Sequence, residues 1–232
     1  MTPERFSKLI SVLNRRQPDL TLLTDQMHKP RNIAALVRTA DAFGLMRVHM
    51  VWAKNGAQRP YRGTAMGSQQ WVELCQHSCM NSAIQDLKAG GHQILAAHLS
   101  DQAVDYREID YTRPTVLLLG NEKSGVSESA ARLADRHIII PMMGMVESFN
   151  VSVAAAVILA EARHQRAGQG MYATSRLEED EYWETFFRWA HPKVAGFCQQ
   201  RGIAFPPVDR ETGEIIDASG WYASIRSCSS SS

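Results

Sequence analysis

Short, almost entirely apolar segments alternate with helical patterns through the middle of this 232-residue chain. Thr115–Leu119 is an uninterrupted example, and three similar segments are Val48–Trp52, Ile94–Ala97 and His137–Ile140. A strand that is apolar on both sides must be covered on both faces, as in parallel sheets whose strands are joined by helices. The pattern therefore predicts one α/β domain with a parallel sheet over residues 20–167.

Helical extensions are predicted on both sides of this domain. Residues 1–19 hold a basic amphipathic helix that begins after Thr2 and ends before Pro18. Residues 168–226 lack the periodicity of the sheet and predict further helices, whereas the serine-rich residues 227–232 predict a disordered tail. We expect the extensions to pack on the domain or on a partner subunit.

The composition excludes several classes of protein. A hydrophobic fraction of 44% and a charged fraction of 21% are typical of a globular chain rather than a disordered one. No apolar run approaches the roughly 18 residues that a membrane helix needs, and the N-terminus is too polar for a signal peptide. We therefore expect a cytoplasmic protein. Cys75 and Cys79 flank His77, but without a second ligand pair this spacing predicts no metal site.

The charge is distributed unevenly, although the net charge is only +1. Residues 1–40 hold seven basic and three acidic side chains, a local excess of 7 − 3 = +4, while residues 178–184 hold five acidic side chains and no basic one. Such a basic region suits a nucleic-acid-binding face, and it equally suits a solvated helix surface.

Functional residues are expected mainly in the loops that follow strands, because ligands of open α/β sheets bind at the carboxyl ends of the strands. The Gly120–Gly125 loop has the glycine spacing of a P-loop, but Val126 and Ser127 stand where that motif needs Lys and Ser or Thr. No Gly-x-Gly-x-x-Gly, His-Glu-x-x-His or Gly-x-Ser-x-Gly motif is present. P-loop, standard dinucleotide, zinc-protease and serine-hydrolase functions are therefore excluded.

Two further segments are ambiguous when taken singly. Ser148 and Asn150 precede a long helix, where either residue type serves as an N-cap, and the methionine-rich loop before them suits an adaptable apolar pocket. Asn32 and Arg38 lie six residues apart on another predicted helix, where a helix cap and a surface cation are the better explanations of each residue by itself.

Taken together, three segments carry a family resemblance. They are Asn32-x5-Arg38, the Leu119–Gly125 stretch and the Ile140–Ala154 stretch. In this order they resemble the three motifs of the SpoU branch of the SPOUT RNA methyltransferases. Phe149 stands where Leu is commoner, which is an exchange of one bulky apolar side chain for another. The basic N-terminal helix, the Arg15–Thr21 segment and the C-terminal helices narrow the resemblance to members that methylate tRNA.

The resemblance implies both an architecture and an activity. It implies a SPOUT fold whose C-terminal part forms a deep trefoil knot, an exception to the rule that chains do not knot. It further implies a homodimer with each active site at the subunit interface. The implied reaction is S-adenosylmethionine-dependent methylation of the ribose 2′-hydroxyl of guanosine 18 in the D-loop of tRNA, with no metal.

The resemblance also assigns residues to these tasks. The implied catalytic residues are Asn32, Arg38, Glu122, Ser148 and Asn150. The implied cofactor-binding residues are Ala97, Leu119, Gly120, Gly125, Ile140, Met145 and Phe149. From their positions on the helices that flank the sheet, we expect phosphate contacts from Arg5, Lys8, Arg15, Arg16, Arg163 and Arg166.

The chemistry favours a particular role for Arg38. The family assigns the general base to this position, but a guanidinium stays protonated because its pKa lies above about 12. We therefore expect Arg38 to hold an RNA phosphate and to stabilise the developing alkoxide, with a phosphate oxygen or water accepting the proton.

Three alternative functions remain open from the sequence. The first is a sister SpoU enzyme that acts on ribosomal RNA or on another tRNA nucleotide. The second is an RNA-binding protein of the same fold without catalytic activity. The third is an α/β metabolic enzyme that does not act on RNA, against which the basic N-terminal helix argues weakly.

Overall fold

A computed structural model describes residues 1–27, 29–52, 67–121 and 123–229 of the chain. The chain forms two compact units. One unit comprises residues 15–176 and contains the sheet, and the other comprises residues 1–14 and 177–232. The sheet unit is a parallel α/β structure, which confirms the predicted fold class.

The strands and helices lie close to their predicted positions. The strands are β1 (Leu20–Asp25), β2 (Arg47–Val51), β3 (Glu73–His77), β4 (Gln93–Ala97), β5 (Val104–Asp105), β6 (Thr115–Leu119) and β7 (Arg136–Ile139). The helices are α1 (Pro3–Leu13), α2 (Pro30–Ala42), α3 (Met80–Ala89), α4 (Glu128–Leu133), α5 (Val151–Gly168), α6 (Glu179–Ala190), α7 (Pro192–Arg201) and α8 (Ala218–Ser229). The sequence did not predict β5, because two residues are too few to show a period.

All strand pairs in the seven-stranded sheet are parallel, and the strand order is β3-β2-β1-β6-β4-β7-β5. Strand β6 lies between β1 and β4, with Leu22 opposite Leu117 on one side and Leu95 opposite it on the other. The central position of β6 explains why its whole sequence is apolar or small, since both of its faces are covered.

Alternate residues of the central strands enter two separate cores. On one face, Leu22 and Leu117 pack with residues of α2 and α5. On the other face, Leu23 and Leu118 pack with residues of α3 and α4. This alternation follows from the two-residue period of a strand. Helices α2 and α5 also contact each other, which brings the first and third motif segments to the same side of the sheet.

The second unit is built around α1 and α6. Helix α1 begins after Thr2 as predicted, and the Thr2 hydroxyl oxygen accepts a hydrogen bond from the Arg5 backbone N–H at 3.3 Å. Leu9 and Leu13 of α1 are buried, and Phe6 packs edge-on against Phe186 of α6 at 5.6 Å between ring centroids. Helix α8 extends to Ser229, so residues 227–229 of the predicted tail are helical.

The unit boundaries differ from those expected from the sequence. Residues 15–19 and 168–176 belong to the sheet unit rather than to the helical extensions. The physical reason is an ion-pair network around Asp19. Its carboxylate accepts hydrogen bonds from Arg166 at 2.7 Å and from Arg176 at 2.5 and 2.9 Å.

Two arginines that were expected to contact RNA are buried in this region. Arg166 is 0% exposed, and its guanidinium also donates to the backbone oxygens of Tyr111 and Arg113. Arg16 is likewise 0% exposed and donates to the Asp41 carboxylate at 2.6 Å. The prediction that Arg16 and Arg166 bind phosphates is therefore wrong, because both guanidiniums are enclosed by the protein and paired with carboxylates.

No helix within the described residues is long and apolar enough to cross a membrane. In the same part of the chain, no three His, Cys, Asp or Glu side chains are arranged to hold a metal ion. Cys75, Cys79 and Cys198 are free thiols.

The ion-pair network around Asp19 predicts that neutralising the Asp19 carboxylate greatly lowers the free energy of unfolding. Asp19→Asn keeps the size of the side chain but leaves the buried Arg166 guanidinium without its anion, which costs about 3 kcal/mol of unfolding free energy. Burial raises the pKa of the Asp19 carboxyl, but the hydrogen bonds from Arg176 and Arg166 outweigh it and lower the pKa overall. The stabilisation is therefore present above the ordinary carboxyl pKa and is lost as the pH falls through the lowered value.

Denaturant unfolding at neutral and acidic pH measures this effect. Asp105→Asn is the matched control, because Asp105 is similarly half-buried and also pairs with an arginine, but that partner, Arg107, is exposed whereas Arg166 is buried. An Asp19→Asn variant as stable as the Asp105→Asn variant would contradict the proposed importance of the network.

Candidate active site

A cavity of about 680 Å³ opens where β4, β6 and β7 end. Parallel strands present their carboxyl ends at one edge of a sheet, so the loops that follow these three neighbouring strands converge. The lining residues are Lys29, Ala97, His98, Leu99, Leu119, Gly120, Asn121, Lys123, Gly125, Ile138, Ile139, Ile140, Pro141, Met142, Glu147, Ser148, Phe149, Asn150, Val151, Ala154 and Ile158.

The loop after β6 folds back on itself at Gly120. Asn121 and Gly125 exchange backbone hydrogen bonds of 3.1 and 3.0 Å, and Gly125 has a φ of +66°. A Cβ at position 120 would lie 1.9 Å from the carbonyl carbon of Gly125, so this close approach requires glycine. The Asn121 side-chain oxygen accepts from the backbone N–H groups of Lys123 and Ser124, which fixes the turn.

The loop after β7 ends at Asn150, which both caps α5 and contacts α2. The Asn150 side-chain oxygen accepts from the Ser152 backbone N–H at 3.0 Å and from the Ser152 hydroxyl at 2.6 Å. Its amide nitrogen donates to the Asn32 side-chain oxygen at 3.3 Å. Asn150 therefore has the capping role that the sequence allowed, and it also joins the first and third motif segments.

Six of the seven residues expected to bind the cofactor line this cavity. They are Ala97, Leu119, Gly120, Gly125, Ile140 and Phe149. Met145 is the exception, because its side chain is fully exposed and it does not line the cavity. Met143 and Val146 beside it are also exposed, at 93% and 62%.

The expected catalytic residues are divided between the cavity and the neighbouring helix. Ser148 and Asn150 line the cavity, and Asn32 is joined to Asn150. Arg38 is exposed on α2 and does not line the cavity of its own chain. It lies six residues beyond Asn32, about 9 Å along the helix axis. Glu122 lies outside the described residues.

The remaining cations that were expected to contact RNA are on the surface. Arg5 and Lys8 are exposed on α1, although the Arg5 guanidinium donates to the Trp189 carbonyl oxygen at 3.4 Å. Arg15 and Arg163 are exposed in the sheet unit. All four therefore lie at the protein surface.

Four titratable residues of the cavity were not predicted: Lys29, His98, Lys123 and Glu147. His98 follows β4 directly and Lys123 lies in the β6 loop, so the rule that sites lie after strands was a signal for both. Burial lowers the pKa of His98, and the neighbouring His137 lowers it further. The lowered pKa keeps the His98 ring neutral at physiological pH.

Comparison with known proteins supports this interpretation of the fold. Residues 19–160 match the SpoU rRNA Methylase family, and residues 164–218 match the C-terminal family of SpoU rRNA methylases. A tRNA (guanosine(18)-2′-O)-methyltransferase of Escherichia coli K12 is 46% identical over 228 residues, which cover 97% of this chain and 99% of the relative.

Solved structures of RNA-modifying enzymes are also similar to this chain. The Aquifex aeolicus TrmH/SpoU tRNA modifying enzyme is 39% identical, with a TM-score of 0.76 over 82% of this chain and 97% of that one. An AdoMet-bound rRNA methyltransferase from Sinorhizobium meliloti is 28% identical, with a TM-score of 0.56 over 67% of this chain and 59% of that one.

The fold and the cavity together define a parallel α/β protein with a cavity at the carboxyl edge of its sheet. The comparisons specify the class further. The chain belongs to the SpoU methylase family.

The Gly120 contact predicts an abrupt effect of a single methyl group. Gly120→Ala places a Cβ against the backbone of Gly125, so the loop must open and the cavity wall must shift. We expect a lower melting temperature and faster proteolysis of this region. Gly168→Ala is the control, because a Cβ there meets nothing within 4 Å and no positive φ is involved. Equal melting temperatures for the two variants would contradict the packing argument.

Proposed function

We propose that this protein transfers the methyl group of S-adenosylmethionine to the ribose 2′-hydroxyl of guanosine 18 in tRNA. The observation that carries the proposal is that the second and third motif segments meet at one cavity, while the Asn32–Asn150 hydrogen bond joins the first segment to the third. The chain is also 46% identical to an enzyme of that activity over nearly its full length. The proposed site of action is the cytoplasm, where tRNA is found.

The residues of the cavity fit the proposed cofactor. Ile138, Ile140 and Val151 provide apolar walls, while the Gly120 turn leaves room for backbone atoms to approach a ligand. A volume of about 680 Å³ lies within the usual range for small-molecule sites. The cofactor supplies an electrophilic methyl group on a sulfonium, so the reaction is a direct displacement that positioning accelerates.

The proposal includes the architecture that is implied by the family. We propose that the chain from β6 to α5 is threaded as a deep trefoil knot. The order of the strands supports this, since β6 lies between β1 and β4, and the loops after β6 and β7 both border the cavity.

The proposal also includes a homodimer with its active sites at the subunit interface. Exposed apolar side chains around the β7 loop and the start of α5 support a covered surface there, namely Met143, Met145, Val146, Phe149 and Val153. Arg38 does not line the cavity of its own chain. In a dimer, Arg38 of one subunit can complete the cavity of the other.

The residues of the chain divide the work of the proposed reaction. Asn150 and Asn32 hold α5 and α2 together beside the cavity, and the Ser148 hydroxyl is available to the incoming ribose. Arg38 binds a phosphate of the target nucleotide with two hydrogen bonds and offsets the charge that grows on the 2′-oxygen. The hydroxyl proton passes to a phosphate oxygen or to water, because the guanidinium remains protonated.

The exposed cations Arg5, Lys8, Arg15 and Arg163 are proposed to hold tRNA phosphates away from the reacting ribose. Such contacts depend on charge rather than on sequence, and they release counterions from the RNA. They add affinity for any tRNA without selecting the nucleotide that is modified.

Methylation of unmodified tRNA tests the proposed function directly. The protein is incubated with methyl-labelled S-adenosylmethionine and a tRNA transcript, and the labelled nucleoside is mapped. Label on the ribose of guanosine 18 supports the proposal. Label at another nucleotide or in ribosomal RNA would replace it with a sister activity, and cofactor binding without any label would indicate a non-catalytic RNA-binding protein.

Substitutions of Arg38 distinguish its two possible roles. Arg38→Ala should abolish measurable methylation while cofactor binding and dimerisation remain nearly unchanged, because the cofactor cavity is formed by other segments. Arg38→Lys should be nearly as inactive, since an ammonium group does not reproduce the planar fork of a guanidinium. Substantial activity of Arg38→Lys that rises towards the lysine pKa would show instead that this residue acts as the base.

The exposed cations predict a change in the salt dependence of tRNA binding. Arg15→Gln and Arg163→Gln should each weaken binding of all tRNAs and reduce the slope of log K against log salt by about one. Arg132→Gln is the control, because Arg132 is exposed on α4, on the opposite face of the sheet from α5. A slope that changes equally in all three variants would remove Arg15 and Arg163 from the tRNA surface.

A further inference from the structure

His98 lies at the wall of the cavity and packs against a second histidine. Its backbone N–H donates to the Ile138 carbonyl oxygen at 3.2 Å, which continues the pairing of β4 with β7 by one residue. The His98 ring meets the His137 ring edge-on, with 5.1 Å between centroids and 85° between planes. The position of His98 is therefore fixed by the sheet rather than by a free loop.

The hydrogen bonds of His137 determine where its proton lies. Its Nε2 is 2.9 Å from the Ala131 carbonyl oxygen, which can only accept, so Nε2 carries the hydrogen. Its Nδ1 is 2.7 Å from the Ser100 hydroxyl, which can donate to it. The neutral form of His137 thus satisfies both contacts, and a proton on each of the two rings would place like charges about 5 Å apart.

The other charges around the cavity define the setting of His98. Lys29 and Lys123 line the same cavity with positive charge, and Glu147 lines it with negative charge. Burial together with His137 lowers the pKa of His98. Within the described residues, the structure shows no hydrogen bond to either ring nitrogen of His98, so the ring can take up a proton from solvent.

We propose that His98 makes the cavity sensitive to ligand charge, so that its neutral ring admits a sulfonium cofactor and its protonated ring favours the thioether product. This inference rests on the proposed function, in which S-adenosylmethionine carries a positive sulfur and S-adenosylhomocysteine does not. Acidification would then weaken the cofactor relative to the product, and product inhibition would become stronger.

The expected size of the effect follows from the size of the cavity. A sphere of the observed volume is roughly 11 Å across, and two like charges about 10 Å apart in a medium of effective dielectric constant about 20 shift an equilibrium on the order of tenfold. By linkage, the cofactor must also make protonation of His98 harder by the same factor, whereas the product must not.

Calorimetric titration with both ligands tests the proposal on the folded, full-length protein. The dissociation constants of S-adenosylmethionine and S-adenosylhomocysteine are measured at about pH 7.5 and about pH 5, which span protonation of a histidine. In the wild type, the ratio of cofactor to product dissociation constants should rise on the order of tenfold at the lower pH. In His98→Gln this roughly tenfold rise of the ratio should disappear.

His92→Gln is the matched control, because His92 is a half-buried histidine of the same sheet unit that does not line the cavity. The rise of the ratio at the lower pH should be the same in His92→Gln as in the wild type. Any rise that comes from titration of the ligands themselves is present in every variant and is therefore separated from the contribution of His98. A pH-independent ratio in the wild type, or an unchanged rise in His98→Gln, would overturn the inference. Absence of binding of both ligands at the higher pH would instead refute the proposed function.

A second measurement covers the case in which His98→Gln fails to fold. The titration of the His98 ring is followed by nuclear magnetic resonance in the wild type with each ligand bound. The midpoint should lie about one pH unit lower with the cofactor than with the product, which is the same tenfold factor. Equal midpoints would overturn the inference without any variant.

Discussion

The parallel ladder through β1, β6, β4 and β7 is the constraint on which the functional site depends. Because these strands run in one direction, their carboxyl ends reach the same edge of the sheet, and the loops that follow β4, β6 and β7 meet there. The cavity is the space between these loops and the start of α5. Any change that shifted β6 from its place between β1 and β4 would separate the loop at Gly120 from the other two walls.

Two local contacts hold the loops at the cavity. Gly120 allows the β6 loop to fold onto the backbone of Gly125 at a distance that no side chain permits. Asn150 ends the β7 loop by capping α5, and its amide group reaches Asn32 on α2. The capping contact and the contact with α2 are thus made by opposite ends of one side chain, so a capping role of Asn150 does not exclude a proposed role at the cavity.

The arginines of this chain illustrate how burial decides the role of a charge. Arg16 and Arg166 are enclosed and neutralised by carboxylates, and they join segments that are distant in sequence. Arg38 and Arg163 are exposed on helices of the same unit and face solvent. A guanidinium that is buried inside the protein cannot reach a phosphate, whereas one at the surface can. The same residue type therefore stabilises the fold in one place and remains at the surface, where we propose RNA binding, in another.

The sequence by itself determined the parallel α/β class and most element boundaries, because apolar strands have a strong local pattern. It also named six residues that the structure brings to one cavity. It could not distinguish Arg16 and Arg166 from the exposed arginines, since their partners Asp41 and Asp19 lie 25 and 147 residues away. Nor could it predict that His98 meets His137, because that contact depends on the pairing of β4 with β7. Periodicity and motifs are local properties, whereas burial and charge pairing are decided by residues that only the tertiary structure brings together.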